Sequence, residues 1–201
     1  MNIWNFSGEV LKHGIKGTKY PKLWLQVRLP HPSGWVLDNN NLFLNFDFDA
    51  NPSTKGGKIC SYIKDRLDKD RFFFLHEAFV TGIQIGKKVG EEWINEEVPG
   101  IKGRVSNLKL SSKPFQDINI GLVQGTVSQY FYNEEENVSK FIVEDRYRNP
   151  KDNTWKSRKI PLLLPVKMED LTGKQVFAQA AICGKTPQKI DKVYGLVKKL
   201  I

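Results

Sequence analysis

Basic and aromatic side chains are concentrated in residues 140–165, which read KFIVEDRYRNPKDNTWKSRKIPLLLP. Seven lysines and arginines fall between Lys140 and Lys159, with Tyr147 and Trp155 among them. Such a mixture of basic and aromatic side chains is not typical of a packed core. Cations that follow a phosphate backbone, together with flat rings that stack on bases, are the chemistry of binding to single-stranded nucleic acid.

Two strands and a turn are predicted to position these side chains. The strands cover Phe141–Arg148 and Trp155–Leu164, and the turn covers 149–153, where Asn, Asp and Pro favour turn conformations. Side chains alternate between the two faces of a strand. Tyr147 therefore falls on one face of the first strand and Arg146 on the other.

The hairpin provides most of the predicted binding site. We predict that Tyr147 and Trp155 stack on bases, and that five basic residues contact phosphates: Arg146, Arg148, Lys156, Arg158 and Lys159. Packing in the core or within the hairpin is the alternative role for the two aromatic residues.

A second candidate site lies in residues 22–29, KLWLQVRL, where apolar and polar residues alternate most clearly. The polar face carries Trp24 two positions from Gln26 and four from Arg28, which places a stacking ring beside donors for phosphates and base edges. Trp35, on a predicted loop, and Phe43, on the outward face of the next strand, are further candidates. Packing within the protein is the alternative for these aromatic residues as well.

Catalytic chemistry has little support in the sequence. Asp47 and Asp49 share one strand face, a spacing that could hold a metal for phosphodiester hydrolysis. A nuclease would need further ligands, for which His76 and Glu77 are the nearby candidates, and charged side chains that discourage edge pairing are the simpler interpretation. We see no nucleophile–base grouping and no phosphate-binding glycine loop. We therefore predict a non-enzymatic protein without catalytic residues, metal or cofactor.

Length and charge restrict the class of protein. The 201 residues permit one large domain or two of about 100 residues. The net charge is +9, and a division at Phe115 leaves +5 before it and +4 after it. A positive balance in both halves favours an extended polyanionic partner, although basic proteins without one exist.

The sequence contains no apolar run of about 20 residues and no signal-peptide pattern, so we predict no membrane segment and a cytoplasmic location. Cys60 and Cys183 are the two cysteines of the sequence, and we expect reduced, buried thiols.

The order of predicted elements suggests the fold. Residues 1–112 read as three strands, a short helix at 59–67, a strand at 71–85 and a last strand at 103–110, with loops at 13–17 and a charged hairpin or loop at 86–100. This is the order of an OB-type Greek-key barrel. Residues 113–201 repeat this order. Their predicted strands are 118–131, the two strands of the hairpin, 175–184 and 192–201, and a short helix or turn is predicted at 168–173. We therefore predict a mainly β protein with two tandem OB-fold barrels, 1–112 and 113–201.

Residues 118–184 resemble the bacterial single-stranded-DNA-binding protein family. The resemblance lies in the glycine-containing strand INIGLVQGTV, the run FIVEDRYRNPKDNTWKSRKIPLLL and the closing segment LTGKQVFAQAAICG. It implies that Tyr147, between Arg146 and Arg148, stacks on a base, and that Trp155 is the nearest match to the family's next aromatic residue. The resemblance covers about a third of the chain.

The resemblance implies sequence-independent binding and protection of single-stranded DNA in replication or recombination. Family members carry one such domain, assemble as tetramers and end in an acidic, apolar tip. This chain has two predicted domains, so a homodimer would provide four domains. It ends in the basic segment KVYGLVKKLI, so we expect no recruitment of partners through an acidic tail. Tandem, divergent versions of this family occur among phage and mobile-element proteins, and we therefore predict such a source for this chain. Two alternatives stay open, an OB-fold protein-interaction module and an RNA-binding OB protein.

Overall fold

The computed structural model describes residues 1–19, 21–30, 41–149, 152–184 and 193–201, without the side chains of residues 30, 41–45, 83–88, 95–96, 184 and 193. The first half of the described chain contains β1 (Asn2–Lys16), β2 (Lys22–Pro30), β3 (Asn41–Asp49), α1 (Lys55–Arg66), β4 (Phe72–Val89), β5 (Glu92–Lys102) and β6 (Leu108–Ser111). The second half contains β7 (Ile118–Asn133), β8 (Val138–Arg148), β9 (Trp155–Leu164), β10 (Gln175–Gly184) and β11 (Val193–Leu200).

Alternating side chains decide which face of β2 enters the core. Its four aliphatic residues at positions 23, 25, 27 and 29 are buried, whereas Trp24 and Gln26 are partly exposed and Arg28 is exposed. Each buried aliphatic side chain stabilises the fold by about 1.5–3 kcal/mol relative to an exposed one. The predicted polar face of this strand is therefore the outward face.

The strands β7–β11, called the second barrel below, form a closed ring. β7 pairs with β8, β8 with β9, β9 in parallel with β11, β11 with β10, and β10 with β7 again. A Cβ atom at Gly125 would lie 2.1 Å from the Glu144 carbonyl oxygen, so glycine permits the close approach of β7 to β8. This connectivity is that of an OB-fold barrel.

The elements β1–β6 with α1, called the first barrel below, follow a related order. β1 lies between β2 and β4, β3 extends the sheet beyond β2, and β6 extends it beyond β4. Among the described residues no ladder joins β3 to β6, and α1 connects β3 to β4 across this end. The mainly β, OB-type fold that the sequence predicts is confirmed.

Capping and apolar spacing explain the helix. The Thr54 side chain accepts a hydrogen bond from the Gly57 backbone N–H at 2.9 Å, which satisfies one of the unpaired donors of the first turn. Cys60 and Ile63 face the core from its buried side. The predicted helix at 59–67 is confirmed and begins four residues earlier than expected.

A long hairpin leaves the first barrel between β4 and β5. The two strands stay paired from Phe79 opposite Lys102 to Val89 opposite Glu92. The predicted charged hairpin or loop at 86–100 is thus a regular hairpin. Its β5 strand approaches β9 and β11 of the second barrel.

The two barrels share a sheet and a core. Residues Asn2–Ser7 of β1 pair antiparallel with Ile118–Val123 of β7. Trp4 is fully buried, and a Cβ atom at Gly121 would lie 2.2 Å from its indole ring. Since Trp4 also contacts Gly195 of β11, a residue of the first barrel completes the core of the second.

The same side-chain bridge recurs in both barrels. Asn2 donates to the Val80 carbonyl oxygen at 2.6 Å and accepts from the Val80 N–H at 3.1 Å, which ties β1 to β4. Asn119 makes the equivalent pair of bonds with Ile182 at 2.9 and 2.8 Å, which ties β7 to β10. This repeat supports the prediction of tandem barrels, while the boundary at 112/113 stays a prediction.

Two local predictions differ from the structure. Residues 13–16 continue β1 instead of forming a loop, because they pair with β2 as far as Lys16 opposite Lys22. Residues 103–110 begin with a 3₁₀ turn at Val105–Asn107, and only Leu108 onward pairs with β4. The short helix or turn predicted at 168–173 is a turn. No helix in the described part of the chain is long and apolar enough to cross a membrane.

Candidate nucleic-acid interface

The β8–β9 hairpin carries the predicted site and separates it into two faces. Arg148 lies opposite Trp155, Arg146 opposite Ser157, and Glu144 opposite Lys159. Directly opposite residues of an antiparallel pair share a face. These six residues form one surface, called the basic face below.

Trp155 is the most prominent side chain of the basic face, with 71% of its surface exposed. It follows a turn in which Asn153 adopts a left-handed conformation (φ 58°) and donates its N–H to the Asn149 carbonyl oxygen at 2.9 Å. An exposed indole costs free energy in water, since its apolar ring is left unburied. A ring held at a turn in this way is suited to stacking on a flat ligand.

The turn is further ordered by Asp152. Its carboxylate accepts from the Thr154 hydroxyl at 2.7 Å and from the Thr154 N–H at 3.1 Å. These hydrogen bonds, together with Lys156 at 3.4 Å, lower the pKa of Asp152 to about 2. The carboxylate is therefore ionised at neutral pH and holds the start of β9 beside Trp155.

Cations on the basic face are available to a ligand. Within the described ranges, Arg146 and Lys159 make no ion pair, and both are exposed. The Arg148 Nε donates to the Asn153 carbonyl oxygen at 3.3 Å, which leaves its charge unneutralised. A shallow groove of about 470 Å³ runs along this surface past Glu144, Arg146, Trp155, Lys156 and Ser157. The arrangement favours an anionic, flat-ringed ligand.

Tyr147 and Arg158 lie on the opposite face of the hairpin. The Arg158 guanidinium carbon is 3.9 Å from the centroid of the Tyr147 ring and 4.4 Å from that of Phe79 on β4. The guanidinium also lies 3.5 Å from the Asp145 carboxylate, which is buried. Arg158 thus links the second barrel to the first.

The sequence places Tyr147, Trp155 and Arg158 in one site, and the structure distributes them over two surfaces. Trp155 is turned outward with Arg146 and Lys159, while one side of the Tyr147 ring is in contact with Arg158. The Arg158 side chain is only 20% exposed. Lys156, opposite Tyr147, is exposed at the edge of this second surface.

The second candidate site, on β2 of the first barrel, differs from the basic face. A Cβ atom at Gly14 would lie 2.9 Å from the Trp24 Nε1 atom, so the indole packs against the β1 backbone where Gly14 leaves room. The Arg28 guanidinium forms an ion pair with Glu9, and Glu9 lies 3.7 Å from Arg71. The Asp47 carboxylate pairs with Lys16 at 2.7 Å. Trp24 is covered on one side and Arg28 is neutralised.

The other candidates of the first barrel are placed only in part. Phe43 lies opposite Arg28 in the β2–β3 ladder, and its side chain is outside the described part of the structure. Trp35 also falls outside the described residues. Asp49 accepts the Asn51 N–H at 3.0 Å. Among the described residues no group of three or more His, Cys, Asp and Glu is arranged to hold a metal ion.

Sequence reasoning missed Trp93, which lies near the tip of the β4–β5 hairpin with 73% of its surface exposed. Val89 and Ile94 beside it are exposed as well. In OB folds the loop between the fourth and fifth strands takes part in oligonucleotide binding. The signal in the sequence was a tryptophan within a charged segment, EEWINEE, that could not bury it.

Comparison with known proteins identifies the fold. No family model and no curated protein matches the sequence. Among solved structures, a deletion mutant of the single-stranded DNA binding protein from Thermus aquaticus matches with a TM-score of 0.66 at 9% identity, over 100% of this chain and 93% of that one. The wild-type protein matches with a TM-score of 0.63 at 9% identity, over 100% and 92%. At this identity the similarity establishes a fold like that of the Thermus protein.

Proposed function

We propose that this protein binds single-stranded DNA without sequence specificity and coats it, acting through binding alone. The observation that carries the proposal is the basic face, where an exposed tryptophan lies among cations that have no ion-pair partner among the described residues. Single-strand binding proteins combine a positive groove with aromatic rings, because every base has a π-face. The fold similarity to the Thermus aquaticus protein supports the same function.

In this proposal Trp155 stacks on a base, and Arg146, Arg148 and Lys159 contact the phosphates next to it. Lys156 and Tyr147 extend the contact around the hairpin edge. Trp24, Arg28, Trp35 and Phe43 form a weaker contact on the first barrel. Trp93 on the long hairpin is added as a stacking residue.

The test is a titration with oligo-dT at about 50 mM and about 200 mM salt, followed by tryptophan fluorescence. We expect quenching that saturates and an affinity that falls steeply as salt rises, since phosphate contacts release counterions. Absence of saturable binding at the lower salt concentration would overturn the proposal.

Competition measurements separate this function from its alternatives. RNA of the same sequence tests an RNA-binding role, because stacking does not distinguish the sugar. Equal, weak binding to duplex and single strand would favour a protein-interaction module. We keep replication or recombination as the process served, a phage or mobile element as the source and the cytoplasm as the location, as hypotheses based on the sequence resemblance.

We also propose a homodimer, in which two chains provide four barrels. The outward side of the β1–β7 ladder carries Ile3 directly opposite Leu122, with Ile120 next to them, and all three are exposed. Exposed aliphatic residues on adjoining strands form an apolar patch, which is typical of interaction surfaces. Sedimentation of the wild type and of Leu122→Arg tests it, and a monomeric wild type would contradict it.

A further inference from the structure

The outward surface of β8 and β9 continues beyond the basic face into an apolar cleft. Next to the Glu144–Lys159 pair, the following pair on the same face is Ile142 opposite Pro161. Two residues along a strand correspond to about 7 Å. The cleft has a volume of about 690 Å³ and begins at this pair.

Residues of both barrels enclose the cleft. Its floor and one wall come from the second barrel, with Ile142 and Pro161 beside the ring of Phe131, which is 61% exposed, and with Tyr194 of β11. Its other wall is formed by Val98 and Pro99 of β5. The long hairpin of the first barrel therefore completes a cavity on the second.

The chemistry of the cleft favours an uncharged, flat group. Its walls are mostly aliphatic or aromatic, and its volume lies in the range of small-ligand sites. Lys140 at the edge is paired with Glu136 at 2.6 Å, and the Glu97 carboxylate lies at the cleft as well. A base could pack against the exposed Phe131 ring and the apolar side chains of the lining.

We propose that the cleft binds one or more unstacked bases of the same single strand that crosses the basic face. This inference rests on the proposed function, because it extends that site. The strand stacks on Trp155, passes Arg146 and Lys159 with its phosphates, and places a base further along the strand between Phe131 and β5. The first barrel thereby contributes to binding on the second through Val98 and Pro99.

The first test is Phe131→Ala, measured by anisotropy with a labelled oligo-dT. Loss of one stacking ring is expected to weaken binding by roughly 5-fold to 150-fold. The substitution removes an exposed side chain, and circular dichroism of the variant checks that it folds. The matched control is Tyr62→Ala on α1, since Tyr62 is 63% exposed and is absent from the cleft lining. We expect the control to bind within about 2-fold of wild type, which is the usual size of the effect of a surface substitution.

The second test locates the base. An oligo-dT carrying one 5-iodouracil is irradiated with the wild-type protein, and cross-linked peptides are identified by mass spectrometry. We expect cross-links to Phe131 or Tyr194. A Val98→Glu variant, which places a further carboxylate in the wall from the first barrel, should lose these cross-links while keeping those to Trp155.

The outcomes separate the cleft from the wider proposal. Wild-type affinity of Phe131→Ala, or cross-links confined to Trp155, would overturn base binding in the cleft and leave single-strand binding intact. Failure of the wild-type protein to bind oligo-dT would overturn both.

Discussion

The second and third strands of the two barrels carry similar residues in different settings. On β2, Trp24 packs against the backbone at Gly14, and the Arg28 guanidinium is paired with Glu9. On β8 and β9, Trp155 is exposed, and Arg146 has no ion-pair partner among the described residues. The two surfaces therefore differ in what a ligand can reach.

The difference shows that two similar aromatic–basic patterns can differ in how many of their groups are left available to a ligand. Arg28 gains little from a phosphate, because a phosphate must compete with the Glu9 carboxylate. Arg146 has no ion-pair partner among the described residues to lose when it binds. We therefore expect the second barrel to provide most of the affinity for a single strand, and the following experiments test this comparison.

The largest expected effect is that of Trp155→Ala. Loss of a stacking ring should cost about 1–3 kcal/mol of binding free energy. The same substitution at Trp24 should cost less, since one side of that indole is already covered. Anisotropy titrations of both variants with the same oligo-dT make the comparison. Equal losses at the two positions would contradict the distinction between the barrels.

Salt dependence distinguishes phosphate contacts from internal ion pairs. For a single strand, each phosphate contact contributes about 0.7 to the slope of log affinity against log salt. Arg146→Gln and Lys159→Gln should each reduce the magnitude of the slope by about that amount. Arg28→Gln should reduce the slope by clearly less, because the Arg28 guanidinium is paired with Glu9. An equal reduction for Arg28→Gln and Arg146→Gln would contradict the distinction between the barrels.

Arg158 provides a comparison within the second barrel itself. Because its guanidinium contacts Asp145, Tyr147 and Phe79, Arg158→Gln should lower the free energy of unfolding by about 1–3 kcal/mol, which urea denaturation measures. The salt slope of binding should stay at the wild-type value. A smaller slope with unchanged stability would instead identify Arg158 as a phosphate contact.

Tyr147→Ala tests the stacking role that the resemblance implies. We expect weaker binding without unfolding, by less than the loss at Trp155, because Arg158 occupies one side of the ring. The double variant with Arg158→Gln should show non-additive effects if the pair acts together. Wild-type affinity of the single variant would remove Tyr147 from the site.

The smallest expected difference between the barrels is in the reactivity of their buried cysteine thiols, which should be similar. Desolvation raises the pKa of Cys60 to about 11, with a contribution from Asp49, and burial raises that of Cys183 to about 12. Both thiols should react slowly with a disulfide reagent at about pH 8 until the protein unfolds. The folded pKa values exceed the unfolded one, so this contribution to stability is present below about pH 9 and is lost as pH rises toward 11–12. Rapid modification of the native protein would contradict the prediction.

Local patterns account for the part of the fold that sequence predicts well. Strands β9 and β10 have the predicted bounds, because alternation and flanking turn residues act within a few positions. The continuation of β1 through residues 13–16 was missed, since it depends on pairing with β2 instead of on the local glycines. The turn containing Asn149, Asp152 and Asn153 was predicted because Asn and Asp act on their own backbone.

The sequence by itself determined the mainly β fold, the outward position of Trp24 and the two faces of the β8–β9 hairpin, all of which follow from the two-residue period of a strand. Only the tertiary structure decided which of these groups are free to bind. Glu9 neutralises Arg28 across a ladder, and Phe79 reaches Arg158 from the other barrel. Charges and rings separated by many residues meet through register and barrel packing, and a local pattern does not contain that information.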